Sequence, residues 1–197
     1  DILDHTNIFH VGSLSLTDEP GRDTTFYAVK RAKEKGSIIS YDPNYRASLW
    51  ENEETAKQYM RSMVPYVDIM KISDEETELL TDQKEPETAA VALFEQGVKI
   101  VVVTLGSEGA YIYGREGGQR VPGFKSSVED TNGAGDSFWG GFLYRLSLSG
   151  KRPSEISFCE QRDFARFGNA VASLCVEGKG AIPAMPNLKQ VEERLGE

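Results

Sequence analysis

Lys99-Ile100-Val101-Val102-Val103-Thr104 is the most strand-like run in a chain of 197 residues. Being β-branched and apolar at odd and even positions alike, it has the pattern of a central parallel strand covered on both faces. Upstream, short apolar runs alternate with longer segments of helical period. Strands are predicted at 7–12, 37–41 and 66–72, and helices at 18–35, 53–63, 74–80 and 86–96. Thr17 or Asp18 is placed to cap the first helix, and Gly36 and Gly97 are placed to end helices, because glycine accepts the left-handed conformation that follows a last turn. The alternation predicts an α/β fold: a mainly parallel sheet with helices on both faces. Downstream the period changes. Runs at 109–114 and 119–124 flank the glycine-bearing turn 115–118 and predict a β-hairpin. Helices follow at 134–147, at 153–176 with a break near Ser157, and at 187–195. No repeat, low-complexity tract or linker interrupts the order, so residues 1–197 read as one domain.

Composition narrows the function classes. Lysine and arginine number 22 against 31 aspartates and glutamates, a net charge of −9. Nucleic acid and anionic membranes both need a basic face that displaces counterions, so neither is an expected partner. No window approaches the run of about 18 apolar residues that a membrane span needs. Cys159 and Cys175 match no zinc spacing, which favours a reducing compartment, the cytoplasm. His5 and His10, five apart in or near a strand, point to opposite faces and imply no metal pair. The chain opens at Asp1 without methionine or an apolar leader, and the expectation is a piece of a longer protein.

The most informative stretch is Asp130-Thr131-Asn132-Gly133-Ala134-Gly135-Asp136-Ser137-Phe138, between the hairpin and an apolar helix. Gly133, Ala134 and Gly135 are too small to block a ligand, and they open a helix whose first N–H groups have no partner inside it. Such a terminus attracts phosphate, because free donors and the positive dipole end point the same way. Asp136 sets a carboxylate at the rim, where it could take the proton of an alcohol that attacks a phosphoryl group. A tight glycine turn with a helix cap accounts for the same residues about equally well. No Gly-x-x-x-x-Gly-Lys-[Ser/Thr] occurs, and Phe138 stands where a dinucleotide fingerprint would need its third glycine, so neither of those phosphate loops is present.

The run 130–138 resembles the second signature of the ribokinase-like sugar kinases, the phosphofructokinase-B family, at every fixed position of Asp-Thr-x-Gly-Ala-Gly-Asp-x-Phe. The resemblance implies that Gly133, Ala134, Gly135 and the amide of Asp136 form an anion hole, with Asp136 as catalytic base. Thr104-Leu105-Gly106-Ser107-Glu108-Gly109 is similar to the family's Thr-x-Gly-x-x-Gly, which gives Thr104, Gly106 and Gly109 a role on nucleotide phosphates. A turn that needs glycine is the plainer reading there. Phe167-Gly168-Asn169-Ala170 looks like the adenine-pocket segment, with Asn169 beside the base.

Lys71-Ile72-Ser73-Asp74-Glu75-Glu76 resembles the family's Asn-x-x-Glu element. Glu76 matches the carboxylate that organises magnesium, through water, while Ser73 replaces the asparagine with a shorter group. A solvated helix N-terminus is the alternative for this acidic run. Asp42-Pro43-Asn44-Tyr45-Arg46 resembles the Asp-x-Asn-x-Arg loop of fructokinases and 2-keto-3-deoxygluconate kinases, and implies that Arg46 approaches the acceptor sugar or the moving phosphoryl group. Gly178-Lys179-Gly180-Ala181 is similar to the C-terminal loop that, with the carbonyls of Asp130 and Asn132, holds a monovalent cation such as potassium.

Together these likenesses imply an ATP- and Mg2+-dependent sugar kinase with fructose as the leading acceptor. Acceptors of the 2-keto-3-deoxygluconate, ribose or nucleoside type remain open, as does a non-catalytic nucleotide-binding relative. They also imply that the family's N-terminal portion and β-sheet lid, through which homodimers form, lie outside these residues.

Overall fold

The computed structural model describes residues 2–196. Six strands form one sheet in sequence order. β1 (Ile8–Gly12), β2 (Ile38–Asp42), β3 (Ile69–Ser73) and β4 (Ile100–Thr104) are parallel, and β5 (Gly109–Gly114) and β6 (Gly117–Pro122) continue the sheet antiparallel. When parallel strands step in one direction through crossovers of one hand, their connecting helices fall on one face. Accordingly α1 (Gly21–Glu34), α2 (Glu53–Met63), α3 (Thr77–Thr81) and α4 (Pro86–Glu95) share a face, where Val29, Met60, Leu80 and Leu93 join one core with Ile39, Met70, Val101 and Val103. The alternate strand residues Ile38, Ile69, Ile100 and Val102 point the other way. They pack with Phe138 and Phe142 of α5 (Ala134–Ser149) and Phe164 of α6 (Phe158–Cys175). α7 (Leu188–Leu195) closes on α6 through Val191 and Leu195. No helix among the described residues is long and apolar enough to cross a membrane.

The expected order of elements stands, with boundary corrections that have local causes. The first helix begins at Gly21, not at residue 18, because the residue before Pro20 is excluded from helical conformation. Neither Thr17 nor Asp18 caps it; Glu19 accepts the Asp23 N–H at 3.1 Å instead. Residues 64–66 form a 3-10 turn opened by Pro65, so β3 starts at Ile69. The acidic run at 74–76 is likewise 3-10 before α3. In the hairpin Gly114 pairs with Gly117, leaving Arg115 and Glu116 as a two-residue turn and ending β6 at Pro122, two residues early. The break near Ser157 is as expected: its side chain accepts the Glu160 N–H and starts α6.

Strand register fixes where the chemistry can gather. Gly12 pairs with Asp42 and Ser73 with Thr104, so the last residues of β1 to β4 line the carboxyl edge of the sheet. That edge is where open α/β sheets take ligands.

Candidate active site

α5 reaches the carboxyl edge through Gly133, whose φ of 78° is left-handed. A Cβ there would also collide with the Ala181 methyl, so two independent constraints require glycine. Behind it the Asp130 carboxylate accepts the N–H groups of Asn132 and Gly180, each at 2.9 Å. These two bonds tie the 130–136 turn to the 178–181 loop and hold the Asp130 carboxyl below the usual carboxylate range. In the first turn Ala134 N–H bonds Thr131 O and Ser137 N–H bonds Gly133 O. The N–H groups of Gly135 and Asp136 meet no acceptor among the described residues. Two free donors therefore face outward at the positive end of a 16-residue helix.

This turn is a wall between two cavities. One, of about 670 Å³, is lined by Gly106, Phe124, Val128, Thr131, Ala134 and Asn169 among others. The second, of about 300 Å³, is lined by His10, Gly12, Ser15, Asp42, Asn44 and Asp136. The first is largely apolar with a few polar groups, as ligand cavities are. The second brings two carboxylates and an imidazole to one small cleft.

The expected nucleotide residues divide. Gly106, at a φ of 56°, and Asn169 both line the larger cavity. The Asn169 amide donates to the carbonyls of Val121 and Pro122, both at 3.1 Å, which fixes its orientation. Thr104 and Gly109 are not in the lining. The Thr104 hydroxyl donates to Ile72 O at 3.3 Å, and Gly109, at a φ of 101°, sits where a Cβ would overlap Val121 O, so these two shape the turn between β4 and β5.

Glu76 is buried, with both oxygens engaged. Oε1 accepts the Tyr45 N–H at 2.7 Å; Oε2 accepts the Ser73 N–H at 2.8 Å and the Ser73 hydroxyl at 3.0 Å. It thus holds the 42–46 loop against the end of β3, and Ser73 is committed to it. Arg46 lies on the exposed outside of that loop, its guanidinium folded onto the Tyr45 carbonyl at 3.0 Å and outside both linings.

Several contributors were missed in the sequence. Lys71 is a lysine inside the otherwise apolar strand β3, and its Nζ lies 2.7 Å from Asp42 Oδ2 with both side chains buried. A lysine in a buried strand needs a partner, which is the signal that could have found it. Burial raises the Asp42 carboxyl above its ordinary value; Lys71 opposes that rise, and the Glu76 and Asp136 carboxylates add to it. His10 lies opposite Ser40, its Nδ1 3.0 Å from the Ser40 hydroxyl, which also accepts the Trp139 indole N–H at 2.8 Å. Desolvation of the imidazole lowers its pKa against the pull of Asp136, with Lys71 adding to the lowering. His5 lies in a separate 3-10 turn, so no histidine pair forms.

Comparison with known proteins identifies the family and the fold. Residues 1–188 match the model of the pfkB family carbohydrate kinases. The chain is 38% identical over 201 residues to probable fructokinase-6, chloroplastic, of Arabidopsis thaliana, covering 99% of this chain and 51% of that protein. It is 35% identical over 198 residues to fructokinase-2 of Oryza sativa subsp. japonica, covering 99% and 58%. Among solved structures, the fructokinase of Xylella fastidiosa with bound ATP superposes with a TM-score of 0.91 at 30% identity, covering 99% of this chain and 60% of that one. The fructokinase of Vibrio cholerae O395, in a form with fructose, ADP and calcium ion bound, gives 0.88 at 34%, covering 95% and 60%. The chain therefore spans between about half and three fifths of the length of these relatives. With a ribokinase-like sheet, the full Asp-Thr-x-Gly-Ala-Gly-Asp-x-Phe run and a family match over nearly all its residues, the chain belongs to the pfkB family of carbohydrate kinases.

Proposed function

We propose that these residues form the ATP-binding and catalytic unit of a sugar kinase that transfers the γ-phosphoryl group of Mg-ATP to a hydroxyl of fructose. The observation that carries this reading is the wall formed by the first turn of α5. Ala134 faces the larger cavity and Asp136 the smaller, so a phosphoryl group at the free N–H donors lies between a nucleotide site and an acceptor site. Asp136 is the base that takes the acceptor proton. Gly133, Ala134 and Gly135 admit the phosphates, and the amides stabilise charge that develops in transfer. Gly106 and Asn169 bind nucleotide from the cavity lining; Thr104 and Gly109 support them from the turn behind. Relatives crystallised with ATP, and with ADP and fructose, support both ligands.

Magnesium enters as part of the nucleotide, where it neutralises phosphate charge. No group of three acidic, histidine or cysteine residues that could hold a metal occurs among the described residues, and the oxygens of Glu76 already accept three hydrogen bonds. Glu76 therefore acts through water, and Ser73 through Glu76. A monovalent cation would be held by the carbonyls of Asp130 and Asn132, beside the loop that the Asp130–Gly180 hydrogen bond ties to this turn; a neighbouring fructokinase was crystallised with potassium ion bound. Arg46 serves the acceptor side by swinging in from the loop that Glu76 anchors. The exposed Cys159 and buried Cys175, both free, suit a reducing compartment such as the cytoplasm.

The test is an acceptor panel of fructose, ribose, 2-keto-3-deoxygluconate and adenosine, assayed with the complete gene product. Fructose should give the highest kcat/KM with ADP formed in step. Transfer to none of the four would overturn the kinase reading, and a better rate with another acceptor would overturn fructose.

A further inference from the structure

The smaller cleft is walled by two loops that are distant in sequence. Leu14 and Ser15 come from the 13–20 segment after β1, and Asn44 comes from the 42–50 segment after β2. Between the loops Ser13 donates its N–H to Pro43 O at 3.0 Å, whereas the Ser13 hydroxyl and the Trp50 indole N–H are buried with no hydrogen-bond partner among the described residues. Arg22, in the first turn of α1, spans the rest. Its Nε donates to Leu16 O at 2.8 Å, Nη2 to Thr17 O at 3.0 Å and Nη1 to Glu19 Oε1 at 3.2 Å, so one loop closes on one guanidinium. The central carbon of that group lies 3.7 Å from the centre of the Tyr59 ring of α2. Tyr59 in turn stacks on Trp50, at the end of the other loop, with ring centres 6.5 Å apart. The Arg22 side chain is only 17% exposed, and a cation over a ring counts for more when it is shielded from water. One turn on, the Thr25 hydroxyl meets that of Ser15 at 2.8 Å and secures the same loop.

From this geometry we propose that Arg22 is a positioning residue that sets the width of the acceptor cleft: through Tyr59 and Trp50 it straps the loop bearing Leu14 and Ser15 to the loop bearing Asn44. The proposal rests on the kinase reading above. Arg22 lines neither cavity, so its loss should weaken the hold on the acceptor and leave the nucleotide side unchanged. Lysine cannot replace it, because an ammonium has no flat face for Tyr59 and no fixed fork for the carbonyls of Leu16 and Thr17.

The experiment measures kcat, the KM for fructose, the KM for ATP and the melting temperature of the complete gene product and of five variants: Arg22→Met, Arg22→Lys, Tyr59→Phe, Tyr59→Ala and Arg22→Met/Tyr59→Ala. The KM for fructose should rise about tenfold in both Arg22 variants and in Tyr59→Ala, while the KM for ATP stays within about twofold. Tyr59→Phe keeps the aromatic face and should match the parent. The double variant should exceed the worse single one by no more than about twofold, because both changes break one strap. Tyr59→Ala leaves the hydrogen-bonding groups of Arg22 in place and carries the test if the Arg22 variants do not fold.

A KM for fructose within about twofold of the parent in Arg22→Lys and Tyr59→Ala, even with a lowered melting temperature, assigns the strap to stability alone and overturns the proposal. A KM for ATP that rises as far as that for fructose, or penalties that multiply in the double variant, overturns it as well. The parent still transfers to fructose in each of these cases, so the kinase reading stands. No transfer to fructose by the parent overturns that reading and this proposal with it.

Discussion

Gly135 lies directly over the end of Lys71: a methyl group built on Gly135 would stand 2.9 Å from Nζ and 3.5 Å from Cε. The residue is thus kept small from below by the buried ion pair as well as from above by any phosphate that approaches. Gly135→Ala would push the ammonium off Asp42 and tilt the first turn of α5. The expected outcome is a loss of turnover of tenfold or more with the fold retained. Gly140→Ala, on the same helix with nothing within 4 Å, is the matched control and should be neutral or slightly stabilising, by about 0.5–1 kcal/mol. Equal turnover in the two variants would separate Lys71 from the anion hole.

Asp130 gives a dependence on pH. Its folded pKa lies below the ordinary value of 3.8, because the Asn132 and Gly180 N–H groups favour the ionised form. A lowered carboxyl contributes stability that is fully present above the unfolded pKa and is lost as pH falls through the folded one. Asp130→Asn should therefore destabilise the protein at neutral pH and lose less of its remaining stability than the parent between about pH 5 and pH 3. Urea midpoints for both proteins across that range check this, and parallel curves would contradict it.

Glu76 separates a structural role from a metal role. Gln at this position has one acceptor oxygen for the Tyr45 and Ser73 donors and sets an amide against one of them. Glu76→Gln should cost about 1–3 kcal/mol of stability. If turnover falls, the loss should persist when magnesium is raised to saturation, because the loop that carries Asp42 and Arg46 has moved. Recovery of full turnover by excess magnesium would show instead that Glu76 mainly holds the ion.

Most of the fold was legible because its signals are local. Ile100 to Val103 are fully buried on both faces, as their β-branched run implied, and the helices expected from 53 and 187 and after the break near 157 begin within a residue of those positions, capped by Asn52, Asn187 and Ser157. Boundaries slipped where a proline acts on its neighbour, at Glu19 before Pro20 and at the turn opened by Pro65. The candidate site was legible where chain neighbours make it, in the run 130–136. It was opaque where three strands contribute one residue each. His10, Asp42 and Lys71 are separated by 32 and 29 positions, and only strand register and burial bring them together. Glycine motifs misled in one respect: Gly106 and Gly109 look alike in sequence, yet one lines a cavity and the other makes room for the Val121 carbonyl.

The most direct test of the central assignment is Asp136→Asn in the complete gene product, with ATP binding and fructose turnover measured on the same preparation. The amide preserves shape and the free N–H donors but cannot take a proton at neutral pH. Turnover should fall by about 10²–10⁴ while the Kd for ATP stays within twofold. Turnover equal to that of the parent would show that Asp136 is not the base.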